Sequence, residues 1–448
     1  MSTLTAPSIL PAELLATAAA AAAPELVGTV SAVVGLSVDV AGLPGAVGDV
    51  LEIGETGASG SVPAEVVAAT SSSLRCMPLG HVQGLRTGMA VRGTGRALLA
   101  PVGRGLLGRV LDGLGRPIDG KGPLDVSGWE PVNGRAPSAL DRARVDTPLC
   151  LGVRALDTMA SVGRGQRIGL FAGSGVGKSS LLSMIARGTE AEVSVIALVG
   201  ERGREVREFL EDDLGPEGLA RSVVVIATSD EPPLVRMRAA FVATRIAESF
   251  RAEGRDVVLM MDSLTRVAMA QREIGLSVGE PPATRGYPPS TFSLLAQLLE
   301  RAGTDREGSV TGIYTVLVDG DDHNEPIADA ARSILDGHIV LTRDLAVAGH
   351  FPSIDVLGSV SRVASRVTTR EQAACAVRLR QVLAARRRAQ DLLDVGAYAA
   401  GSNALVDAAV AHADEIDSFL RQPMDEAASA AESWAHLSRL VSAMAVAS

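Results

Sequence analysis

One glycine-rich segment, Ala172–Ser179 (AGSGVGKS), constrains the fold of this chain more than any other feature. It follows an apolar run at Arg167–Phe171 and precedes a helical pattern at Leu181–Arg187. This strand, loop and helix order is the setting of a phosphate-binding P-loop, although the strict pattern begins with Gly instead of Ala172. Glycines let backbone N–H groups converge on phosphates, and the helix N-terminus adds a favourable dipole. The segment therefore predicts a nucleotide-binding α/β domain.

The lysine usage of the chain supports this interpretation. Of its 42 lysines and arginines only Lys121 and Lys178 are lysines, so Lys178 stands where a compact ammonium suits a crowded phosphate site better than a planar guanidinium. We expect Lys178 to reach the terminal phosphates of ATP and Ser179 to bind Mg²⁺. The predicted ATP-binding residues of the loop are Ala172, Gly173, Ser174, Gly175, Val176, Gly177, Lys178, Ser179 and Ser180.

Two carboxylates follow other predicted strands. Asp262 ends the apolar run Val257–Met261, where it could hold Mg²⁺ through water. Glu201 follows the run Val193–Val199, and it is the candidate catalytic carboxylate that orients and deprotonates the attacking water. The alternative for Glu201 is a solvated helix start, because its neighbourhood is dense in charge.

Short apolar runs alternate with helical stretches after about Gln166, which is typical of a parallel sheet. We predict an α/β fold with a RecA-like P-loop core, an N-terminal small β-barrel and a C-terminal helical domain with breaks near Gly396, Gly401 and Pro423. A Gly/Pro-rich connection is expected at Val102–Pro123. The predicted domains are a tail at 1–24, the barrel at 25–95, the ATP-binding domain at 96–368 and the helical domain at 369–448.

Composition argues against several other classes of protein. The net charge is −10, and Met1–Leu74 has no Lys, Arg or aromatic residue, so we expect no nucleic-acid partner. The cysteines, Cys76, Cys150 and Cys375, have no pairing or metal-ligand spacing, which suits a reducing cytoplasm. The apolar run Leu14–Ala23 is too short to span a bilayer, so no transmembrane segment is expected.

Several longer segments resemble the rotary and secretion ATPases of the F-type α/β superfamily. Pro352–Ser361 (PSIDVLGSVS) fits the superfamily signature, and Asp112–Asp119 is similar to its domain junction. Within the superfamily the chain most resembles the flagellar export ATPases, which are siblings of the virulence type III secretion ATPases, through Gly279–Tyr287 and Asp319–Leu341 among other segments. The resemblance covers roughly residues 25–425, and it implies a homohexameric ATPase that performs mechanical work on other proteins.

The resemblance also implies roles for single residues. Lys178 and Ser179 would bind phosphate and Mg²⁺, Glu201 would be the catalytic glutamate with Arg202 beside it, and Asp262 would be the metal aspartate. The assignments of Lys178, Ser179, Glu201 and Asp262 agree with those made from the residues themselves, and the role of Arg202 comes from the resemblance alone.

Further roles are implied at the edge of the site. Arg266 would be an active-site arginine, and Arg362 would be an arginine finger that reaches the γ-phosphate in the neighbouring subunit. Phe351 would stack on adenine. The segment Phe419–Met424 resembles an adenine-pocket segment but ends in Met where that segment has Phe, and Met can still pack on a base.

The function that we expect is Mg-dependent ATP hydrolysis that drives export of flagellar proteins. By resemblance, its partners are a stator-type regulatory protein, a stalk protein, export chaperones and the export gate, at the cytoplasmic face of the inner or plasma membrane. A virulence-type secretion ATPase and a non-hydrolysing nucleotide-dependent interaction subunit remain alternatives. An ATP synthase catalytic subunit is disfavoured because its acidic C-terminal segment is missing, and a hexameric RNA translocase because Met1–Leu74 has no means of binding RNA.

Overall fold

The computed structural model describes residues 26–54, 60–318 and 325–446. The chain divides into two compact units, with the boundary between Ala97 and Leu98. The predicted tail at 1–24, with Leu14–Ala23, lies outside the described residues, and so do residues 319–324 of the segment that resembles the export ATPases.

The first unit is a closed barrel of six strands in the order β1-β2-β5-β4-β3-β6. All neighbouring strands are antiparallel, and alternate residues such as Val38 and Val40 fill the interior because successive side chains of a strand point to opposite faces. This arrangement confirms the predicted small β-barrel. The strands are β1 (Val27–Val34), β2 (Ser37–Ala41), β3 (Asp49–Ile53), β4 (Val62–Ala69), β5 (Ser73–Pro78) and β6 (Ala90–Ala97).

The second unit is built on a sheet to which nine described strands contribute. Its main path runs β19-β18-β12-β17-β15-β13-β14-β8, parallel except for the edge strand β19, and β16 pairs antiparallel with β17. The P-loop strand β12 and the strand β15 flank β17. The strands of the sheet are β8 (Arg109–Asp112), β12 (Arg167–Ala172), β13 (Val193–Glu201), β14 (Ser222–Thr228), β15 (Asp256–Asp262), β16 (Gly303–Thr304), β17 (Ser309–Leu317), β18 (Gly337–Leu341) and β19 (Val360–Ser361).

Two small antiparallel pairs accompany this sheet, β7 (Leu99–Val102) with β9 (Gly128–Pro131) and β10 (Pro148–Leu149) with β11 (Val162–Gly163). The helices that cover the sheet and its edges include α5, which packs on β13, β14 and β15. They are α1 (Arg154–Met159), α2 (Lys178–Gly188), α3 (Gly203–Glu208), α4 (Gly215–Ala220), α5 (Pro233–Ala252), α6 (Leu264–Ser277), α7 (Pro289–Glu300), α8 (Pro326–Ile334), α9 (Arg343–Val347) and α10 (Ala364–Val367), with a π-helix at Phe209–Leu214 and 3₁₀ turns at Arg104–Leu106 and Thr284–Gly286.

Strand β8 lies inside the segment that the sequence predicts to be a Gly/Pro-rich connection, Val102–Pro123. It pairs with β14 and extends the sheet, so the prediction of a plain connection is wrong there. Turn residues dominate the local pattern, and only the distant partner strand makes these four residues a strand. Arg109 ion-pairs with Asp119 at 2.7 Å, and this hydrogen bond lowers the pKa of Asp119 well below its usual range.

The C-terminal helices follow the predicted breaks. They are α11 (Arg370–Asp394), α12 (Ala404–Ala411), α13 (Ala413–Leu420) and α14 (Ala430–Val446). Thr369 and Gln372 form a capping box that begins α11, since each side chain bonds to the other residue's backbone N–H. None of the helices in the described ranges combines the length and the apolarity that crossing a bilayer requires.

Arg380 fastens α11 to the loop that carries the signature sequence. Its guanidinium donates to the carbonyls of Val356 at 2.6 Å, Ser359 at 3.2 Å and Met159. Replacing Arg380 with Met should lower the free energy of unfolding by about 2–4 kcal/mol, because three carbonyls lose their donor. Urea unfolding of the purified chain measures this. Arg388→Met, at an exposed position of the same helix, is the control, and an equal loss in both variants would contradict the prediction.

A buried carboxyl group in α1 organises the segment before it. Asp157 accepts a hydrogen bond from the Leu151 backbone N–H at 2.8 Å and from Cys150 Sγ at 3.1 Å. Burial raises the pKa of Asp157 from 3.8 to about 7. The folded chain therefore holds this proton more tightly than the unfolded chain does.

Stability should consequently fall as the pH rises through this range. The stabilisation is complete below pH of about 4 and is lost above pH of about 7, with a total on the order of 4 kcal/mol. Asp157→Asn cannot titrate there. The difference in free energy of unfolding between wild type and Asp157→Asn, measured in urea from pH 4 to 8, should decrease with pH, and a difference that stays constant would refute the assignment.

Candidate nucleotide-binding site

The P-loop joins β12 to α2, as the sequence predicts. Gly175 and Gly177 have φ values of 77° and 86°, which side chains other than glycine rarely adopt. Val176 points into the core and is 2% exposed. A Cβ atom at Gly177 would lie 3.4 Å from the ring of Phe351, so the aromatic ring packs close against the loop.

A cavity of about 520 Å³ opens above this loop. It lies beyond the carboxyl ends of the parallel strands, where open α/β sheets bind their ligands. The cavity brings together most of the predicted site residues. Its lining consists of Ala172, Gly173, Ser174, Gly175, Gly177, Lys178, Ser179, Ser180, Glu201, Arg202, Glu205, Arg266, Leu317 and Val318.

Lys178 joins the two predicted carboxylates. Its Nζ lies 2.5 Å from Asp262 Oδ1 and 3.3 Å from Glu201 Oε1. Burial lowers the pKa of Lys178, but the charges of Asp262 and Glu201 outweigh burial and raise it. The pKa of Glu201 is raised, first by burial and then by the charge of Asp262, against the opposing effect of Lys178. Three residues that are far apart in the sequence thus form one charged cluster.

Asp262 is held by a residue that sequence analysis missed. Thr315, near the C-terminal end of β17, donates a hydrogen bond from Oγ1 to Asp262 Oδ1 at 2.7 Å. A threonine inside an apolar strand is a weak signal, because threonine is common in strands. Glu205 was also missed as a residue of the cavity wall, although it follows Glu201 by four positions.

Arg266 lies in the first turn of α6 and lines the cavity. It packs on Gly200, where an added Cβ would lie 2.9 Å from Arg266 Cβ, and Gly200 has a φ of 72°. The Arg266 Nε atom is buried and has no hydrogen-bond partner within the described residues. Since a buried donor without a partner is costly, an oxygen-rich ligand in this cavity suits Arg266.

Phe351 is tied to the C-terminal helical region. The Phe351 carbonyl accepts a hydrogen bond from the Gln422 backbone N–H at 3.0 Å, and Ser353, two residues later, donates to the carbonyl of Val176 in the P-loop. Phe419 is fully buried, whereas Met424 is 38% exposed and its carbonyl accepts from Arg187. Phe351 therefore lies against the P-loop, whereas Met424 contacts the C-terminal end of α2, away from the loop.

Two predicted arginines differ in their placement. Arg202 lines the cavity, and its side chain is 81% exposed. Its Nη1 lies 3.6 Å from Glu205 Oε1. Arg362 does not line the cavity. It follows the edge strand β19, it is exposed, and its Nη2 lies 3.4 Å from the carbonyl of Arg332. Arg362 is thus accessible to a neighbouring molecule.

The donor set fits a magnesium nucleotide. The Ser179 hydroxyl and the Asp262 carboxylate are hard oxygen ligands of the kind that Mg²⁺ prefers. Lys178 and the glycine-rich loop supply the donors that phosphates need. Fold and site together define a P-loop nucleotide hydrolase with a RecA-like sheet.

Similarity to known proteins narrows the class of hydrolase to which this chain belongs. The "ATP synthase alpha/beta family, nucleotide-binding domain" matches residues 152–361, and the "T3SS EscN ATPase C-terminal domain" matches residues 368–439. The flagellum-specific ATP synthase of Bacillus subtilis is 50% identical over 416 residues, which are 92% of this chain and 94% of that protein. The type 3 secretion system ATPase of Xanthomonas euvesicatoria is 49% identical over 89% of this chain and 90% of its own length.

A solved structure has the same fold over most of this chain. The assembled ATPase EscN from the type III secretion system of enteropathogenic E. coli superposes with a TM-score of 0.87 at 42% identity, over 92% of this chain and all of that one. EscN has also been solved in complex with its central stalk EscO, with a TM-score of 0.86. The chain belongs to the family of flagellum-specific and type III secretion ATPases, and it is an ATPase. This membership confirms the predicted fold class, ATPase activity and role in type III secretion, while both kinds of relative match equally well.

Proposed function

We propose that this chain hydrolyses ATP with Mg²⁺ in order to drive the export of flagellar proteins through a type III secretion apparatus. The observation that carries the proposed hydrolysis is the cluster of Lys178, Glu201 and Asp262 beside a P-loop, and relatives such as the flagellum-specific ATP synthase of Bacillus subtilis support its use in flagellar export. A non-hydrolysing subunit would need no carboxylate at the place of Glu201.

The residues have distinct tasks in this mechanism. Lys178 leaves its carboxylate partners and binds the terminal phosphates of the nucleotide, because the phosphates offer a larger negative charge. Mg²⁺, held by Ser179 and through water by Asp262, would neutralise charge on the phosphates. Arg266 donates to phosphate oxygens from its buried Nε. Phe351 stacks on the adenine.

Glu201 positions the attacking water and accepts its proton. A raised pKa suits this task, because a more basic carboxylate takes a proton more readily. As Lys178 turns to the phosphates, Glu201 loses a stabilising positive charge, which raises its basicity further. Binding of the nucleotide thereby prepares the base for the reaction.

We further propose that the chain acts as a homohexamer. Support comes from Arg362, which is exposed and does not line the cavity of its own chain, so it could complete the site of a neighbour. EscN has been solved as an assembly and in complex with its central stalk EscO, which supports an assembly of this chain with a stalk protein. A stator-type regulatory protein, export chaperones and the export gate complete the proposed partners, and the proposed location is the cytoplasmic face of the membrane export apparatus.

The flagellar assignment can be tested by deleting the gene. We expect cells without the chain to lack filaments under the microscope and to secrete no flagellar proteins, and the wild-type gene should restore both. Normal filaments in the deletion strain would overturn the flagellar assignment. Normal filaments together with lost secretion of other proteins would instead support a virulence-type secretion ATPase.

A further inference from the structure

Thr315 is a buried polar residue in the centre of the sheet. It lies on β17 between β12 and β15, and it is opposite Leu170 in the parallel pairing with β12. Its side chain has no exposed surface. A hydroxyl group buried among apolar strands is costly unless it forms a hydrogen bond, so the partner of this hydroxyl matters.

The partner is the carboxylate of Asp262. Thr315 Oγ1 lies 2.7 Å from Asp262 Oδ1 and 3.3 Å from the Met261 carbonyl. A hydroxyl has one proton to donate, and the shorter distance assigns it to the carboxylate. Lys178 Nζ contacts the same Oδ1 at 2.5 Å. The side-chain hydrogen bonds of Asp262 within the described ranges both end on Oδ1, so Oδ2 has no protein donor there.

Only one of the two donors to Asp262 Oδ1 is expected to stay in place when nucleotide binds. Lys178 must turn towards the phosphates when nucleotide binds, whereas Thr315 is fixed in a strand that is paired on both sides. Thr315 therefore remains as a donor to Asp262 after Lys178 has left. A carboxylate with one oxygen fixed keeps its other oxygen in a defined orientation.

We propose that Thr315 is a positioning residue that fixes the Asp262 carboxylate through Oδ1 and so keeps Oδ2 available for the water shell of Mg²⁺. This inference rests on the proposed Mg²⁺ site. Thr315 touches neither nucleotide nor metal in this role. Thr315 should therefore affect the affinity for nucleotide only when Mg²⁺ is present.

The test compares Thr315→Val with Thr315→Ser in the full-length chain. Valine keeps the shape and the strand propensity of threonine but cannot donate, whereas serine keeps the hydroxyl. Binding of a fluorescent ADP analogue is titrated once with Mg²⁺ and once with EDTA. We expect Thr315→Val to weaken binding about tenfold with Mg²⁺, the order of effect of losing a second-shell partner, and to leave binding in EDTA unchanged. Thr315→Ser should stay close to wild type.

Thr311→Val is a matched control on the same strand. Thr311 is also buried, and its Oγ1 accepts a hydrogen bond from Gly165 N–H at 2.8 Å. Thr311→Val should lower the free energy of unfolding without changing the effect of Mg²⁺ on the affinity for the ADP analogue. Should the valine variant at 315 fail to fold, Thr315→Ala takes its place.

Three results would overturn the inference. In the first, Mg²⁺ raises the affinity of Thr315→Val for the analogue as much as it raises that of the wild type. In the second, Thr315→Val loses affinity equally with Mg²⁺ and with EDTA. In the third, Thr315→Ser loses as much affinity with Mg²⁺ as Thr315→Val does. A wild-type chain that binds the analogue equally with and without Mg²⁺ is a separate outcome. It would overturn the proposed metal site itself.

Discussion

Replacing Arg362 with alanine is expected to lower the rate of ATP hydrolysis by a factor of about 10³–10⁵, which is the effect of an arginine finger. Arg362 is exposed at the edge of the sheet and does not line the cavity of its own chain. In the proposed hexamer its guanidinium would act on the γ-phosphate that is bound to a neighbouring subunit. Binding of ATP should change little, because the charge that Arg362 stabilises develops in the transition state. Phosphate release by the purified chain measures the effect.

The matched control is Arg366→Ala, an exposed arginine four residues later. A mixing experiment makes the test sharper. Arg362→Ala has an intact cavity, and Glu201→Gln has an intact Arg362, so a mixed ring contains some complete sites. Random mixing in equal amounts should restore about a quarter of the wild-type rate, because each heterologous interface takes one half from each neighbour. A mixture that stays inactive would contradict catalysis between subunits, and so would an Arg362→Ala chain with wild-type activity.

Replacing Glu201 with glutamine is expected to lower the turnover number by a factor of about 10²–10⁴, the usual contribution of a general base. Glutamine keeps the size of the side chain but cannot accept the proton of the attacking water. Affinity for ATP should remain, since Lys178 and the P-loop are unchanged. The measurement is steady-state phosphate release together with nucleotide binding. Phosphate release at the wild-type rate would contradict the role of Glu201 as the catalytic base and would leave its carboxylate without a part in hydrolysis.

The pH profile gives an independent check on Glu201. Its raised pKa means that the carboxylate accepts a proton at a higher pH than an ordinary glutamate does. The rate of the wild-type chain should therefore fall on acidification before an ordinary glutamate would titrate, and the residual rate of Glu201→Gln should not show this step. Glu208→Gln, at an exposed position of α3, is the control, and it should retain both the rate and the pH profile of the wild type.

Much of the site could be predicted from the sequence because its signals are local. The P-loop is a continuous segment with a strand before it and a helix after it, so Lys178 and Ser179 could be found from their neighbours. Asp262 and Glu201 end apolar runs, and parallel strands bring their carboxyl ends to one edge. The structure places both carboxylates within 3.3 Å of Lys178 Nζ. The individual roles of these residues remain predictions for the experiments above.

The sequence by itself determined the β-barrel, the P-loop sheet and the helical C-terminal region, because hydrophobic periodicity and turn residues act within a short window of the chain. Tertiary structure decided what depends on distant pairing. It made a strand of Arg109–Asp112, joined Thr315 to Asp262, and tied Phe351 to Gln422. It also left Arg362 exposed and away from the cavity of its own chain. Such contacts join segments whose local patterns carry no information about each other, so only the folded chain reveals them.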